Sequence, residues 1–295
     1  MDREQPQSKE QRQSKAYFER LRQRARDQVN QGNLELALEL CDRAIAWAEK
    51  YGDKDACDVE RCNRSSILVN QGRGTDAISH LRRILLSSSN PEICHQAANN
   101  ISRFHEMRNE GERGLFYARL SLHHAKLSQN PEPIARSYNQ LGLLLQRDSY
   151  FEDATEHFTR ALEVLPDEIS RDRSVLLSNL GYCQVMLGRF TPGFSHLFRS
   201  LRIIKAQARG VEFWEMFPRL ALSFAYLQID RPVRACIHAR RGLILAEEAE
   251  MTWQVKNALY LLGESEKLSG NEFQAHRHFT RLQREFYPDD PVIPD

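Results

Sequence analysis

Tyr138-Asn139-Gln140-Leu141-Gly142-Leu143-Leu144-Leu145 opens the stretch that decides the fold. Ala154-Thr155-Glu156-His157-Phe158-Thr159-Arg160-Ala161 follows, and Pro166 closes it. Two helices fit this pattern, with Asp148 to Phe151 as the turn between them. Gly142 and Ala154 have little or no side chain, so the two backbones can approach closely there. Phe158 has the volume to fill the space around that contact. Pro166 cannot continue a helix and ends the second one.

The unit recurs along the chain. Its copies can be registered on the turn residue before each second helix: Gly32, Gly72, Arg113, Ser149, Gly188, Asp230 and Gly270. The intervals are 40, 41, 36, 39, 42 and 40 residues. Five residues after each marker stands a small residue: Ala37, Ala77, Ala118, Ala154, Gly193, Ala235 and Ala275. Four further on, most copies carry a larger residue (Leu81, Leu122, Phe158, Leu197, Phe279), with Cys41 and Ala239 as departures. First helices agree less well. Leu180-Gly181 and Leu262-Gly263 match Leu141-Gly142, Arg64-Ser65 and Ile101-Ser102 are weaker, and Ala25 is marginal. The third copy carries apparent extra residues around Asn109 to Gly114. Strand-like alternation is absent, so the fold class is all-α.

A 295-residue chain would ordinarily suggest two globular domains, but repeats that pack only on their neighbours escape that rule. The 41 basic and 40 acidic residues nearly cancel, which removes a global electrostatic reason to expect nucleic acid or an anionic membrane. No apolar run approaches the roughly 18 residues of a membrane span. The polar first 30 residues lack a secretory signal pattern. Cys41, Cys57, Cys62, Cys94, Cys183 and Cys236 form no C-x-x-C pair and read as reduced thiols of a cytoplasmic protein. Residues 1–15 are expected to lack structure, 16–287 to form the repeats, and 288–295 to form an extended tail. Arg277, Arg281 and Arg284 give the last helix a polar stripe suited to an array end.

These features resemble the tetratricopeptide repeat: an aromatic, Leu-Gly, a large residue, Ala, Phe, a small residue, Pro. A spacing near 40 exceeds the usual 34 residues. It is similar to the long-repeat arrays of kinesin light chains, polarity adaptors and bacterial peptide-receptor regulators. The resemblance covers residues 16–287 and implies a right-handed α-solenoid of about seven helix pairs, whose first helices line a concave groove.

In that groove the resemblance implies an amide ladder. Asn63, Asn99 with Asn100, Asn139 with Gln140, and Asn179 stand just before the Leu-Gly pair or its equivalent. An amide offers both a donor and acceptors, so a column of them can pair with an extended peptide backbone whatever its side chains. The alternative is a recurrent helix-face residue without a ligand. The same register gives the N-terminal half Arg22, Arg26, Arg103 and Arg136, and the C-terminal half Tyr182, Phe217, Leu220, Phe224 and Tyr260. A ligand with an acidic and an apolar end would suit both. The alternative for the arginines is a solvated face, and for the aromatics ordinary interhelical core, which accounts equally well for Phe217 and Phe224.

Other motifs carry no chemistry. His80, His157, His196, His238 and His278 recur at one register position. Equivalent residues on helices about 8–10 Å apart cannot share an ion that needs ligands within about 2.3 Å. Gly72-Arg73-Gly74-Thr75-Asp76-Ala77 matches a dinucleotide fingerprint, but no strand precedes it, so it is a turn. Arg20, Arg22, Arg24 and Arg26 are spread around their helix, a weak nucleic-acid signal. No catalytic motif is present, so no enzyme, metal or cofactor is expected. The expected function is a non-catalytic scaffold or adaptor holding a peptide or protein segment. The alternative is a receptor for a small signalling peptide that acts through a separate partner. The relatives of that second kind carry an N-terminal DNA-binding domain, for which the segment before Ala16 leaves no room.

Overall fold

Each second helix follows a residue held in the left-handed region, and these residues set the register of the whole chain. They are Gly32, Gly72, Asn109, Ser149, Gly188, Asp230 and Gly270, with φ of 83°, 74°, 59°, 66°, 71°, 54° and 80°. The computed structural model describes residues 9–166, 170–207 and 212–288. These form fourteen α-helices and no strand, the expected all-α repeat architecture. The pairs are α1 (Lys9–Asn30) with α2 (Leu34–Lys50), α3 (Lys54–Asn70) with α4 (Thr75–Ser87), and α5 (Pro91–Met107) with α6 (Gly111–Ser128). They continue with α7 (Pro131–Arg147) and α8 (Phe151–Val164), then α9 (Arg171–Met186) and α10 (Phe190–Ala206). The last are α11 (Met216–Gln228) with α12 (Pro232–Glu248), and α13 (Thr252–Leu268) with α14 (Glu272–Phe286). A 3-10 helix at Glu212–Glu215 leads into α11. Helix α1 starts at Lys9, inside the segment 1–15 expected to lack structure. Residues 1–8 and 289–295 of the expected terminal segments lie outside the described residues.

The third repeat corrects the register. Its turn residue is Asn109, not Arg113, because α6 already begins at Gly111. The intervals become 40, 37, 40, 39, 42 and 40, and the extra residues disappear. Asn tolerates the left-handed region through local hydrogen bonding, so no glycine advertises this turn. The small residue five positions on is then Gly114, and Ala118, not Leu122, takes the place of Phe158. The same register exposes a second small-residue column, seven residues before each turn: Ala25, Ser65, Ser102, Gly142, Gly181, Ser223 and Gly263, all buried.

The two small columns meet where first and second helices touch. On α9 and α10 a Cβ added to Gly181 would lie 3.0 Å from the carbonyl oxygen of Gly193. One added to Gly193 would lie 3.1 Å from that of Gly181. Each helix is thus pressed against the other's backbone, and Leu197, fully buried, packs over the contact.

The chain divides into two compact units, residues 1–144 and 145–295. In the first, α1 to α6 pack in succession and α3 also packs on α5. Its core includes Phe18, stacked on Trp47 at 4.4 Å, and the buried Leu81, Ile93 and Ile101. In the second, α8 to α14 pack in succession, and α11 touches both α9 and α13. Second helices pack less closely on one another, meeting through side chains such as Arg281 on α14 at 2.7 Å from Glu247 on α12, so first helices share one face in each unit. All six cysteines are buried free thiols, and burial above all pushes Cys41 and Cys183 up to about 12, which keeps them protonated packing groups.

One polar cluster sits in the core of the first unit. The His95 Nδ1 lies 3.0 Å from Ser121 Oγ and 3.1 Å from Ser137 Oγ. Burial pushes this imidazole down to about 4, with Arg136 and His124 adding repulsion. It is folded in the neutral form, while the unfolded chain takes up the proton near pH 6.5. Stability from this site is therefore full above about pH 6.5 and falls as the pH drops toward 4. Chemical denaturation of wild type and His95→Gln across that window should show a shallower acid loss in the variant. A second outcome tests the helix contact. Alanine is favoured over glycine inside a helix by about 1 kcal/mol, whereas overpacking costs about 1–3 kcal/mol. Gly193→Ala should therefore lower the melting temperature, against the propensity trend.

Candidate functional site

In the first unit the shared face of the first helices is stitched by polar side chains. Arg22 Nε on α1 donates to Glu60 Oε1 on α3 at 2.8 Å, and Glu60 is only 1% exposed. Asn63 Nδ2 donates to the same oxygen at 3.1 Å, and Gln96 Nε2 on α5 donates to Asn63 Oδ1 at 2.6 Å. Asn100, buried, donates from Nδ2 to the Cys62 carbonyl at 2.8 Å. Gln140, also buried, donates from Nε2 on α7 to Glu106 Oε2 on α5 at 2.7 Å. A buried carboxylate needs such donors, because taking its charge out of water unpaired is costly.

The amides placed together by the sequence thus separate into two columns. Asn63, Asn100, Gln140 and Asn179 stand nine residues before their turn residues, and Asn99 and Asn139 stand ten before. The first three of the nine-residue column cross-link helices. Asn99 is half-buried, and its Oδ1 is buried without a hydrogen-bond partner. Asn139 and Asn179 are half-buried on α7 and α9. One turn beyond Asn99, Arg103 lies half-buried against Ser66 Oγ at 3.2 Å and against Asn70 Oδ1. Desolvation lowers the pKa of its guanidinium, and the Glu106 carboxylate three residues on partly offsets this. Gln96, Asn99 and Arg103 are spaced i, i+3 and i+7 and make one stripe along α5. Of the other arginines, Arg22 is held by Glu60 and Glu19, Arg26 is exposed, and Arg136 is exposed with Glu132 at 3.6 Å on its own helix.

The corresponding face of the second unit is aromatic. Tyr182 and Phe224 occupy the register position of Arg103 in successive first helices, half-buried, with ring centroids 5.8 Å apart. Phe151 meets Tyr182 edge-on at 6.4 Å. Phe217 is half-buried beside Trp214 at 5.5 Å, and the Arg171 guanidinium lies 5.2 Å from the Trp214 ring. Tyr260 is 51% exposed, 6.5 Å from Phe279. Leu220 does not belong to this face: it is 4% exposed, in core contact with α12 at Gly242. Sequence reading missed Trp214, Glu60 and Glu106. An acid one helical turn from a recurrent Asn or Arg was the available signal for the two carboxylates.

The remaining motifs behave as packing elements. His80 is exposed and the other four repeat-register histidines are half-buried. No three metal-binding side chains converge among the described residues. The Gly72–Ala77 segment is the turn into α4, and a Cβ on Gly74 would sit 2.6 Å from the Phe104 ring. No described helix is long and apolar enough to cross a membrane.

No protein-family model and no curated protein sequence matches the chain. Solved structures do. A Rap protein complexed with competence and sporulation factor superposes with a TM-score of 0.70 at 15% identity, over 88% of this chain and 72% of that one. A tetratricopeptide repeat protein from Parabacteroides merdae gives 0.55 at 18% identity, over 94% and 95%. The fold is that of a tetratricopeptide-repeat array. The apo quorum sensor NprR from B. thuringiensis gives 0.67 at 10% identity, over 92% of this chain and 76% of that one. At such identities the likeness concerns the fold.

The two amide columns of the array differ in what they hold. Asn100→Ala removes a buried interhelical bond and should cost about 1–3 kcal/mol. Asn99→Ala removes an unpartnered acceptor and should change stability by less than about 0.5 kcal/mol. Urea unfolding of both variants measures this, and equal losses would make both columns structural.

Proposed function

We propose that this array is a non-catalytic scaffold that holds an extended peptide or protein segment on its first-helix faces. The observation that carries the reading is the stripe Gln96, Asn99 and Arg103. Asn99 keeps an unused acceptor there, and Arg103 is a half-buried, desolvated cation held by Ser66 and Asn70 and only partly offset by Glu106. A peptide N–H would satisfy the first and an acidic group of the ligand the second. Gln140, Asn63 and Asn100 hold the helices that carry this stripe, Asn139 extends the polar contact in the first unit, and Asn179 offers an amide on the first-helix face of the second. On the second unit, Tyr182, Phe217, Phe224 and Tyr260 offer half-buried or exposed rings of the kind that anchor apolar side chains. The site needs no cofactor, and the ligand is protein in nature, not membrane or nucleic acid. The working compartment in this reading is the cytoplasm.

The alternative, a receptor for a small signalling peptide that acts through a separate partner, is favoured by the likeness to the Rap protein with its bound factor and to the quorum sensor NprR. Peptide display against the full chain, followed by affinity measurement, tests both. Selected ligands should be acidic at one position and lose at least about tenfold in affinity, or about 1.4 kcal/mol, with Arg103→Ala. Tyr182→Ala should weaken ligands that carry an apolar anchor. Ligands that bind both variants as tightly as wild type would place recognition elsewhere. Free short peptides that bind as tightly as the same segments within a folded protein favour the receptor reading.

A further inference from the structure

One position of the repeat changes character in the second copy. Fourteen residues before the first six turn residues stand Phe18, Asp58, His95, Ala135, Ser174 and Met216, each at most 5% exposed, and the seventh copy has the half-buried Lys256 there. Asp58 is the acidic member of that set. Where the position is polar elsewhere, the fold supplies a partner. His95 meets Ser121, which lies twelve residues after its turn on the second helix, and Ser174 Oγ donates to the Arg171 carbonyl at 2.7 Å. In the second copy the counterpart of Ser121 is Ile84, which offers no hydrogen bond. Asp58 Oδ1 has only Arg61 NH1 at 3.5 Å, and Oδ2 is buried with no partner.

A cavity of about 300 Å³ opens at this carboxylate between α2, α3 and α4. Ala48, Cys57 and Ile84 give it an apolar wall. Of the basic groups that line the cavity, Arg61 meets Asp58 but is shared with a second carboxylate. Arg61 NH2 pairs with Glu49 at 2.8 Å, and Lys54 Nζ donates to the Ser87 carbonyl at 2.8 Å. Arg83, on the rim, is exposed to water. His80 also lines the cavity and is exposed, and what remains unmet among these groups is a donor for Asp58 Oδ2.

We infer that this cavity binds an alkylammonium or alkylguanidinium group, its N–H donating to Asp58 and its methylenes lying on Ala48, Cys57 and Ile84. The group belongs to a free small amine or to a Lys or Arg side chain of a partner, and the site is separate from the first-helix face. Calorimetric titration of the full chain with cadaverine, agmatine and the peptide acetyl-Gly-Lys-Gly-amide tests it. Saturable binding of at least one probe is expected, weakened at least about tenfold by Asp58→Asn, which keeps the volume and removes the charge. Without ligand, Asp58→Asn should melt no lower than wild type, because Oδ2 of the carboxylate has no donor and Oδ1 has only the 3.5 Å contact with Arg61. Binding of the free amines alone assigns a small-molecule site, and equal binding of the peptide assigns a side-chain pocket. Absence of saturable binding by all three probes, or unchanged affinity in Asp58→Asn, overturns the inference. Should that variant fail to fold, the Asp58 carboxyl carbon resonance of wild type decides. A shift on saturation with agmatine supports the inference, and no shift overturns it.

Discussion

The contact on which everything else rests is backbone against backbone, where the first and second helices of a pair cross at two small residues. Gly181 and Gly193 show its limit, each within a methyl group of the other's carbonyl. That closeness leaves no freedom in how far the chain may run between the two positions. The turn must deliver the second helix at one spacing, which is why twelve residues separate Ala25 from Ala37, Ser65 from Ala77, Ser102 from Gly114 and Gly181 from Gly193. It must also pass through a left-handed residue each time, at little cost for Gly and at some cost for Ser149. Side chains elsewhere in the pair can vary as long as this pair of positions stays small.

The second constraint is electrostatic. Glu60 lies almost wholly out of water, and Glu106 accepts from a buried amide; both act as acceptors for arginine or amide groups of neighbouring helices. Such bonds contribute modestly when made and cost much more when one partner is removed. They tie α1, α3, α5 and α7 in a fixed lateral order, so the polar residues of this face divide their labour. Some hold helices and some are left to reach outward. Asn99 keeps an unpartnered acceptor while Asn63, Asn100 and Gln140 do the holding, and Arg103 adds bonds to Ser66 and Asn70 on α3.

The fold was legible because its signals are repeated. One small residue at one spacing says little, but seven in register specify a helix pair. The third repeat was misregistered because Ala118 was matched to Ala154 as its small residue, which placed the turn at Arg113, whereas the counterpart of Ala154 is Gly114 and the turn residue is Asn109. The site was legible only in part. Amides one residue apart on a helix point about 100° apart, so Asn99 and Asn100 could not be assigned to a groove or an interface without knowing the rotation of α5. Leu220 was misplaced for the same reason. The acids were missed because a Glu on a helix normally reads as solvated surface. Their burial comes from the neighbouring helix, which a local pattern cannot see. Asp58 belongs to this class: its isolation is visible only against Phe18, His95 and Ser174 at the same register.

The stitching of the first unit has a mechanical consequence. First helices are tied edge to edge by directional bonds, whereas α2 and α4 pack, among the described residues, on their own first helix and the next one. Shear along the first-helix face would break several short bonds at once. Spreading of α2 from α4 would break none of them, because those two helices share no comparable contact. The unit is therefore stiff in one direction and compliant in the other, like a row of fan blades pinned along one edge.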